Sequence, residues 1–322
     1  MMTAVRSELT ADLIAACGAD RVLTDHPLGP MTTYRVGGPA ALFVEVADSD
    51  ALMTIASLDR GELPVLLVGR GSNLLVADEG FPGLALRLGP AFDTTRIDAD
   101  GSVVAGGARS LPLVARETVR AGLTGFEWAV GVPGSIGGAV RMNAGGHGSA
   151  MAESLVDATI VDLNTGIRSV LSLEDLRFDY RTSALAPHHC VVGVTLQLTA
   201  GDAERGSRDL SEIVRWRRAH QPGGQNAGSV FTNPPGDSAG RLIDTAGCKG
   251  LRVGTAEVST KHANFIQADV GGSANDIRSL MRLVHARVLD THGVHLEAET
   301  RMVGFDSLAA SAATDEAPGG TS

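Results

Sequence analysis

The chain has 322 residues, 43% of them hydrophobic and 20% charged, which gives room for two or three globular domains. Its net charge of −10, from 37 acidic and 27 basic residues, excludes sequence-independent nucleic-acid binding, which needs a basic surface. Cys17, Cys190 and Cys248 are far apart with no C-x-x-C, which argues against a disulfide framework or a zinc site and fits a reducing compartment.

The N-terminus has no apolar core of the kind a signal peptide needs. Nowhere does an apolar run approach the ~18 residues of a membrane helix. A cytoplasmic protein without nucleic-acid or membrane partners is therefore expected. Residues 1–30 offer a short helix candidate, Ala11 to Ala16, in a turn-rich lead-in. Gly37-Gly38-Pro39 is turn chemistry ahead of a strand over 42–46. The apolar run 63–68 is too short for most helices and reads as a buried strand.

Directly after it comes Gly69-Arg70-Gly71-Ser72-Asn73-Leu74. It lacks the Lys-Ser/Thr of a P-loop, and Leu74 stands where G-x-G-x-x-G needs its third glycine. Neither common nucleotide fold is indicated. Residues 108–122 place Leu111, Val114, Ala115, Thr118 and Val119 on one helical face, ending at Gly122.

The densest turn chemistry follows at 131–139 and runs on to 143–146. Glycines 131, 134, 137 and 138, with Pro133, argue against a helix or a strand there. Such a run lets backbone approach a ligand closely and can turn its N–H groups inward as an anion nest. Ser135 and Ala139 are small enough to stay out of the way. The alternative is a tight connection between two strands. Two glycine loops, each able to hold a phosphate, point together to a dinucleotide cofactor.

Strands are expected at 155–163, 167–171 and 190–198. Residues 200–207 are small and polar, a candidate domain boundary. The segment 208–220 carries Arg215, Arg217, Arg218 and His220 interrupted by Asp209 and Glu212, and reads as a solvated helix face. Ser273 and Asp276 resemble a capping box opening a last helix with an apolar stripe of Ile277, Leu280, Met281, Val284 and Val288, closed by Gly293. In 296–303, alternation puts Leu296, Ala298, Thr300 and Met302 on one strand face and Glu297, Glu299 and Arg301 on the other. Residues 305–322 are small and polar, and disorder is expected there.

With these segments in order, the chain resembles the UDP-N-acetylenolpyruvoylglucosamine reductase family over roughly residues 26–304. The markers are Thr-x-x-x-Val-Gly-Gly-Pro-Ala at 32–40, Gly-x-Gly-Ser-Asn-Leu-Leu at 69–75 and Pro-Gly-Ser-Ile-Gly-Gly-Ala at 133–139. Met-Asn-Ala-Gly at 142–145, Tyr-Arg-Thr-Ser at 180–183 and Gly-Ser-Val-Phe-Thr-Asn-Pro at 228–234 follow. Lys-His-Ala-Asn-Phe-Ile at 261–266 and Leu-Glu-Ala-Glu at 296–299 complete the set. Its order and spacing are far more specific than any one member. The interval from Arg181 to Ser229 leaves no room for the extra substrate loop of the family's longer form, so the chain resembles the shorter, second type.

The resemblance implies an α+β fold. It comprises a two-subdomain FAD-binding module of the vanillyl-alcohol-oxidase (PCMH) type, over 26–200 with halves at about 26–90 and 91–200, and a C-terminal α+β substrate domain over 207–304. Residues 1–25 would be a lead-in. It implies noncovalent FAD held by Gly69, Arg70, Gly71, Ser72, Asn73, Leu74, Pro133, Gly134, Ser135, Gly137, Gly138 and Asn143. NADPH would be co-substrate, and the substrate UDP-N-acetylglucosamine enolpyruvate, reduced to UDP-N-acetylmuramate for peptidoglycan. Ser229 would be the proton donor, Arg181 the carboxylate anchor, and Glu299 an acid or polariser that is protonated or paired with Arg181. Strand spacing alone does not choose between Glu297 and Glu299. Tyr180, Asn233 and Lys261 would face the substrate. A monomer without a metal is expected. The alternative is an FAD-dependent oxidase of the same fold, although Ser72 stands where such enzymes often carry a flavin-linked histidine. Departures from the family pattern are Thr232 for lysine, Gln267 for asparagine, Ala298 for proline, and Gly146-His147 for Ala-Tyr.

Overall fold

The computed structural model describes residues 2–305. It is α+β, and among the described residues its three larger sheets, of four, five and three strands, are each backed by helices. Helix α1 (Met2–Cys17) runs well beyond the expected Ala11–Ala16 and buries Leu9, Leu13 and Cys17 at i, i+4 and i+8. Strands β1 (Val22–Pro27), β2 (Pro39–Val46), β3 (Val65–Leu67) and β5 (Phe81–Leu88) form the first sheet in the order β1-β2-β5-β3, while β4 (Leu74–Val76) stands apart. Helix α2 (Ser49–Ser57) joins α1 on one face. β5 is parallel to both β2 and β3, and its middle, 83–86, is wholly buried, which is why these strands read as apolar runs.

The second sheet is antiparallel: β6 (Thr95–Ile97), β7 (Ser102–Gly106), β8 (Leu155–Asp162), β9 (Arg168–Ser172) and β10 (His189–Gln197), in the order β9-β8-β10-β7-β6. Helix α3 (Leu111–Arg120) packs the five expected apolar positions into the core behind it. The glycine-rich stretch differs from the expected loop. Ser135 caps a short helix, α4 (Ile136–Arg141), and the N–H groups of Ile136 and Gly137 donate to Arg109 and Gly107 carbonyls. A Cβ at Gly137 would sit 3.2 Å from the carbonyl oxygens of Gly107 and Val191, so glycine here serves close packing as well as turning.

The polar stretch 200–207 is not a linker throughout. Asp202 accepts from the N–H groups of Glu204 and Arg205 and starts helix α5 (Ala203–His220), in which Gly206 meets Val119 of α3. Downstream, α6 (Ala239–Thr245), a three-stranded meander (Arg252–Val253, Ala256–Val258, Ile266–Ala268) and α7 (Ala274–His292) enclose a separate core. All five stripe residues of α7 are buried, and Gly293 ends it in the left-handed conformation. The expected strand over 296–303 shrinks to β11 (Arg301–Val303). Leu296 and Thr300 are buried but Ala298 is exposed, so the alternation fails before Arg301. β11 pairs in parallel with β4, returning the C-terminal domain to the first. The tail expected to be disordered lies, from residue 306 on, outside the described residues.

Asp78, just past β4, accepts from Ser273 Oγ and from the N–H groups of Ala274 (2.8 Å) and Asn275 (3.0 Å). It thus caps α7 across the domain junction, where the helix dipole favours an anion. Asp78→Ala should lower unfolding stability by about 1–2 kcal/mol, the loss typical of a good cap. Urea unfolding checks this, and an unchanged midpoint and slope would contradict the capping role.

Candidate active site

A cleft of about 620 Å³ opens between the two glycine segments, α5 and the C-terminal domain. The first segment links β3 to β4. Gly71 has φ +62°, and a Cβ there would lie 2.2 Å from the Met31 carbonyl oxygen, so only glycine fits. The N–H groups of residues 69–73 have no acceptor among the described residues. Consecutive free N–H groups along a cleft suit an anion. The second segment lies against the first. A Cβ on Gly69 would meet Ser135 Oγ at 2.7 Å, and one on Gly134 would meet Ser72 Oγ at 3.3 Å. The first loop supplies most of the free donors, Gly134 and Ser135 N–H also have no acceptor among the described residues, and the second segment otherwise forms a side-chain-poor wall. A smaller cavity of about 240 Å³ adjoins past Gly69, Ser135 and Gly138. This narrow cradle fits the pyrophosphate of a dinucleotide.

Five arginines, Arg70, Arg141, Arg181, Arg217 and Arg301, line the cleft against one carboxylate, Glu299. The local field is therefore cationic although the chain is acidic. Arg181 sits at φ +57° in a tight turn closed by mutual hydrogen bonds of Asp179 and Thr182. A left-handed non-glycine backbone stores strain that persists where surroundings hold it. Here the side chain supplies the hold. Its Nε is 3.1 Å from Glu299 Oε1, and its Nη2 donates to the Gly145 carbonyl at 2.9 Å. The guanidinium carbon lies 5.0 Å from the centre of the Tyr180 ring. Tyr180 Oη accepts from Asn233 Nδ2 at 3.2 Å.

Glu299 is mostly buried, and burial pushes its carboxyl above the ordinary value against the pull of Arg181. Its own backbone is fixed twice. Asn73 Nδ2 donates to the Glu299 carbonyl at 2.9 Å, and Glu299 N–H donates to the Val230 carbonyl at 2.8 Å. The second bond brings the residue after Ser229 against Glu299. The Ser229 hydroxyl lines the cleft without a partner among the described residues. Glu297 is exposed, so the geometry selects Glu299 of the two glutamates left open by strand spacing.

Residues 69–74 and 133–135, Gly138, Tyr180, Arg181, Ser229, Asn233 and Glu299 all line this cleft. Gly137 lines only the smaller cavity. Asn143 lines neither. It is buried, donates to the Asp179 carbonyl and accepts from Ala152 N–H, so its amide fastens the turn that carries Arg181. Lys261 lies outside, exposed, with its ammonium on the Arg218 carbonyl. Asn264 was quoted only within a motif, yet its buried amide brackets Phe231, accepting from its N–H at 3.0 Å and donating to its carbonyl at 2.7 Å. Arg217 corrects the reading of 208–220 as a solvated face, since it turns into the cleft with Trp216. Asp162, His188 and His189 have metal-like spacing. His189 Nδ1 accepts from Ala186 N–H, however, which leaves the proton of a neutral ring on Nε2, facing Asp162. That tautomer suits a hydrogen bond rather than a metal.

Two family profiles match, an FAD binding domain over residues 40–171 and the C-terminal domain of UDP-N-acetylenolpyruvoylglucosamine reductase over 220–303. The reductase of that name from Heliobacterium modesticaldum is 44% identical over 286 residues, covering 88% of this chain and 90% of its own. The one from Rhodopseudomonas palustris strain HaA2 is 41% identical over 302 residues, covering 92% and 97%. The crystal structure of the reductase (MurB) from Thermus caldophilus superposes with a TM-score of 0.76 at 40% identity, over 88% of this chain and 99% of that one.

A pH dependence follows from Glu299. A carboxyl raised on folding above its ordinary 4.5 stabilises the fold below the unfolded value and loses that contribution as pH rises through the folded one. Glu299→Gln removes this titration. The stability difference should therefore move in the variant's favour as pH rises, whatever constant offset the altered Arg181 contact adds. Urea unfolding of both proteins over about pH 4–8 tests this. A flat difference, or one moving toward wild type, rules it out.

Proposed function

Because the chain belongs to the UDP-N-acetylenolpyruvoylglucosamine reductase family, we propose that Arg181, Glu299 and Ser229 form the centre at which it reduces its substrate. The protein is an NADPH-dependent flavoenzyme of peptidoglycan precursor synthesis. It converts the enolpyruvyl group of UDP-N-acetylglucosamine enolpyruvate to the lactyl ether of UDP-N-acetylmuramate. The fold is the two-subdomain FAD-binding module with a C-terminal α+β domain. The oxidase alternative is not favoured. Bound FAD supplies the hydride, which it takes from NADPH. We assign the free N–H groups of residues 69–73 to its pyrophosphate and the wall at 133–135 and 137–138 to its flank. Ser72, in place of a linking histidine, supports noncovalent binding.

The observation that carries the assignment is the unpartnered Ser229 hydroxyl beside the Arg181–Glu299 pair. Hydride addition to the vinyl terminus places negative charge on the adjacent carbon and on the carboxylate. Arg181, a rigid fork, anchors that carboxylate. Burial of Glu299 favours its neutral form over the carboxylate, and that form would not repel the developing anion. Ser229 Oγ gives the proton that completes the lactyl carbon. Tyr180 and Asn233 bound the substrate side.

We place the FAD-binding part at 26–200 and the substrate part at 207–304, a division supported by family matches that fall inside each. Helix α5 spans the junction. No helix among the described residues is long and apolar enough to cross a membrane. We propose a cytoplasmic monomer, a reading supported by the family's precursor-synthesis reaction and by the acidic balance.

The direct test follows NADPH oxidation with and without the enolpyruvyl sugar nucleotide, and no dependence on the sugar nucleotide would refute the reading. Ser229→Ala then tests the donor. NADPH should still bleach the flavin at near the wild-type rate, while turnover of the sugar nucleotide falls by at least about 10²-fold. Substrate affinity should change little, since the hydroxyl acts mainly in the transition state. Normal turnover in this variant would remove Ser229 from the donor role.

A further inference from the structure

Among the described residues, Tyr34 is the largest side chain to be completely buried. It comes from the segment ahead of β2, yet it belongs to the core of the C-terminal domain, with Val230, Phe231 and Leu296. Its hydroxyl has no well-aligned hydrogen-bond partner among the described residues, and neither has the buried hydroxyl of Thr300. The two hydroxyls face each other, and the backbone N–H of Ala227 faces the Tyr34 oxygen as well. That N–H has no other acceptor among the described residues. Burial pushes the Tyr34 phenol above its ordinary pKa, so it keeps its proton and can donate as well as accept.

A buried hydroxyl left unpaired is costly, and native proteins nearly always satisfy such groups. One small adjustment satisfies all three here: Ala227 N–H donates to Tyr34 Oη, and Tyr34 O–H donates to Thr300 Oγ1. Phenylalanine against valine would fill the same core without any polar group to satisfy, so packing alone does not account for the two hydroxyls. Their places in the chain are the second observation. Ala227 stands two residues before Ser229, and Thr300 follows Glu299. Beyond Ser229, the Val230 carbonyl accepts from the N–H groups of Glu299 and Thr300, at 2.8 and 3.3 Å. Before Ser229 the chain is held less well. Gly228 sits at φ +78° with nothing within 4 Å of a Cβ position, and its N–H finds only the local Asn226 Oδ1, at 3.1 Å. The residue preceding Tyr34 is itself anchored, since Thr33 N–H donates to the Gly71 carbonyl of the first glycine loop at 3.1 Å.

We propose that Tyr34 is a positioning residue whose hydroxyl ties Ala227 to Thr300 and so sets where Ser229 stands relative to Glu299. Tyr34 lines neither cavity, so it acts only through the two backbone segments that carry the reacting groups. The inference rests on the reductase reading and deepens it, by adding a residue outside the cleft on which delivery of the proton depends. Reduction of the flavin by NADPH does not use Ser229 and should not depend on the link.

Tyr34→Phe and Thr300→Val each remove one hydroxyl and keep the shape of the side chain. Stopped-flow absorbance of the FAD-loaded enzyme separates the two half-reactions. Flavin reduction by NADPH should stay within about 2-fold of wild type in both variants. Reoxidation by the enolpyruvyl sugar nucleotide should fall by about 10-fold in each, part of the ~10²-fold that a misplacement of about 1 Å can cost. The loss should appear in kcat with KM nearly unchanged, since the reacting group is misplaced while the substrate contacts remain. The double variant should be no slower than the slower single one, because the two hydroxyls form one link. Reoxidation at the wild-type rate in Tyr34→Phe overturns the proposal and leaves the reductase reading intact. Losses that multiply in the double variant overturn it by showing that the hydroxyls act separately. An equal fall in both half-reactions, or loss of FAD, overturns it by making Tyr34 a support of the fold or the cofactor. A raised KM with normal kcat overturns it by moving the effect to substrate binding. A wild-type enzyme that the sugar nucleotide does not reoxidise brings down the reductase reading and the positioning role together.

Discussion

The site depends on one joint, the return of the chain's end to its first glycine loop. Strand β11 pairs in parallel with β4, and Asn73 brackets Thr300, the residue after Glu299. It donates to the Glu299 carbonyl and accepts from Arg301 N–H at 2.9 Å. More than 220 residues separate the partners in sequence, so the joint closes a long loop, yet the entropy of closure grows only slowly with length. Asp78 secures the same junction a few residues on by capping α7. Without this return, Glu299 would have no fixed position against Arg181, which arrives from the second sheet's side on the turn 179–182.

Two amides extend the joint to Ser229. Asn264 brackets Phe231, and Val230 exchanges bonds with Asn264 on one side and Glu299 on the other. Three strand-like segments, around 230, 264 and 299, are thereby tied through backbone groups rather than through the reacting side chains. That arrangement leaves the Ser229 hydroxyl without a protein partner. A buried polar network of this kind is rigid when fully satisfied, which is what the proposed proton donor, on a loop, needs.

Much of this was legible in the sequence where period and turn chemistry are strong. The five-residue faces of α3 and α7 are both buried as their 3.6-residue spacing requires. The apolar run at 63–68 and the strand expected at 155–163 both formed strands, over Val65–Leu67 and Leu155–Asp162. The misses have physical causes. Glycines at 137 and 138 opened a short helix because carbonyls of Arg109 and Gly107 took the N–H groups that a longer helix would satisfy internally. The strand over 296–303 kept its alternating composition, but it met Phe231 only through a single antiparallel bridge at Ala298 and formed a continuous ladder only from Arg301, where β4 is available. Asn143 and Asn264 looked like ligand contacts or motif filler, since a sequence does not reveal that an amide is saturated by distant backbone. Arg217 was hidden by its neighbours: four exposed arginines on the same helix, Arg205, Arg208, Arg215 and Arg218, made the segment look uniformly solvated.

The Arg181–Glu299 pair shows how the fold resolves a conflict in the chemistry. An ionised carboxylate beside a substrate carboxylate and a developing carbanion would oppose the reaction, whereas an arginine alone could not supply a proton. Taking both charges out of water costs several kcal/mol per ion, which close pairing only partly offsets. For Glu299 burial outweighs the pairing, so the carboxyl is biased toward its protonated form although a guanidinium nitrogen lies 3.1 Å away. Arg181 does not depend on that partner alone, because Gly145 and Asn143 carbonyls also accept from it. Under the proposed roles, a substrate carboxylate that drew on the charge of Arg181 would weaken the pairing that opposes burial and so favour the neutral form of Glu299. The neutral acid is then the form whose burial costs least. A shallower glutamate in the same place would lose that upward push, so under the proposed roles the depth of Glu299 matters as much as its identity.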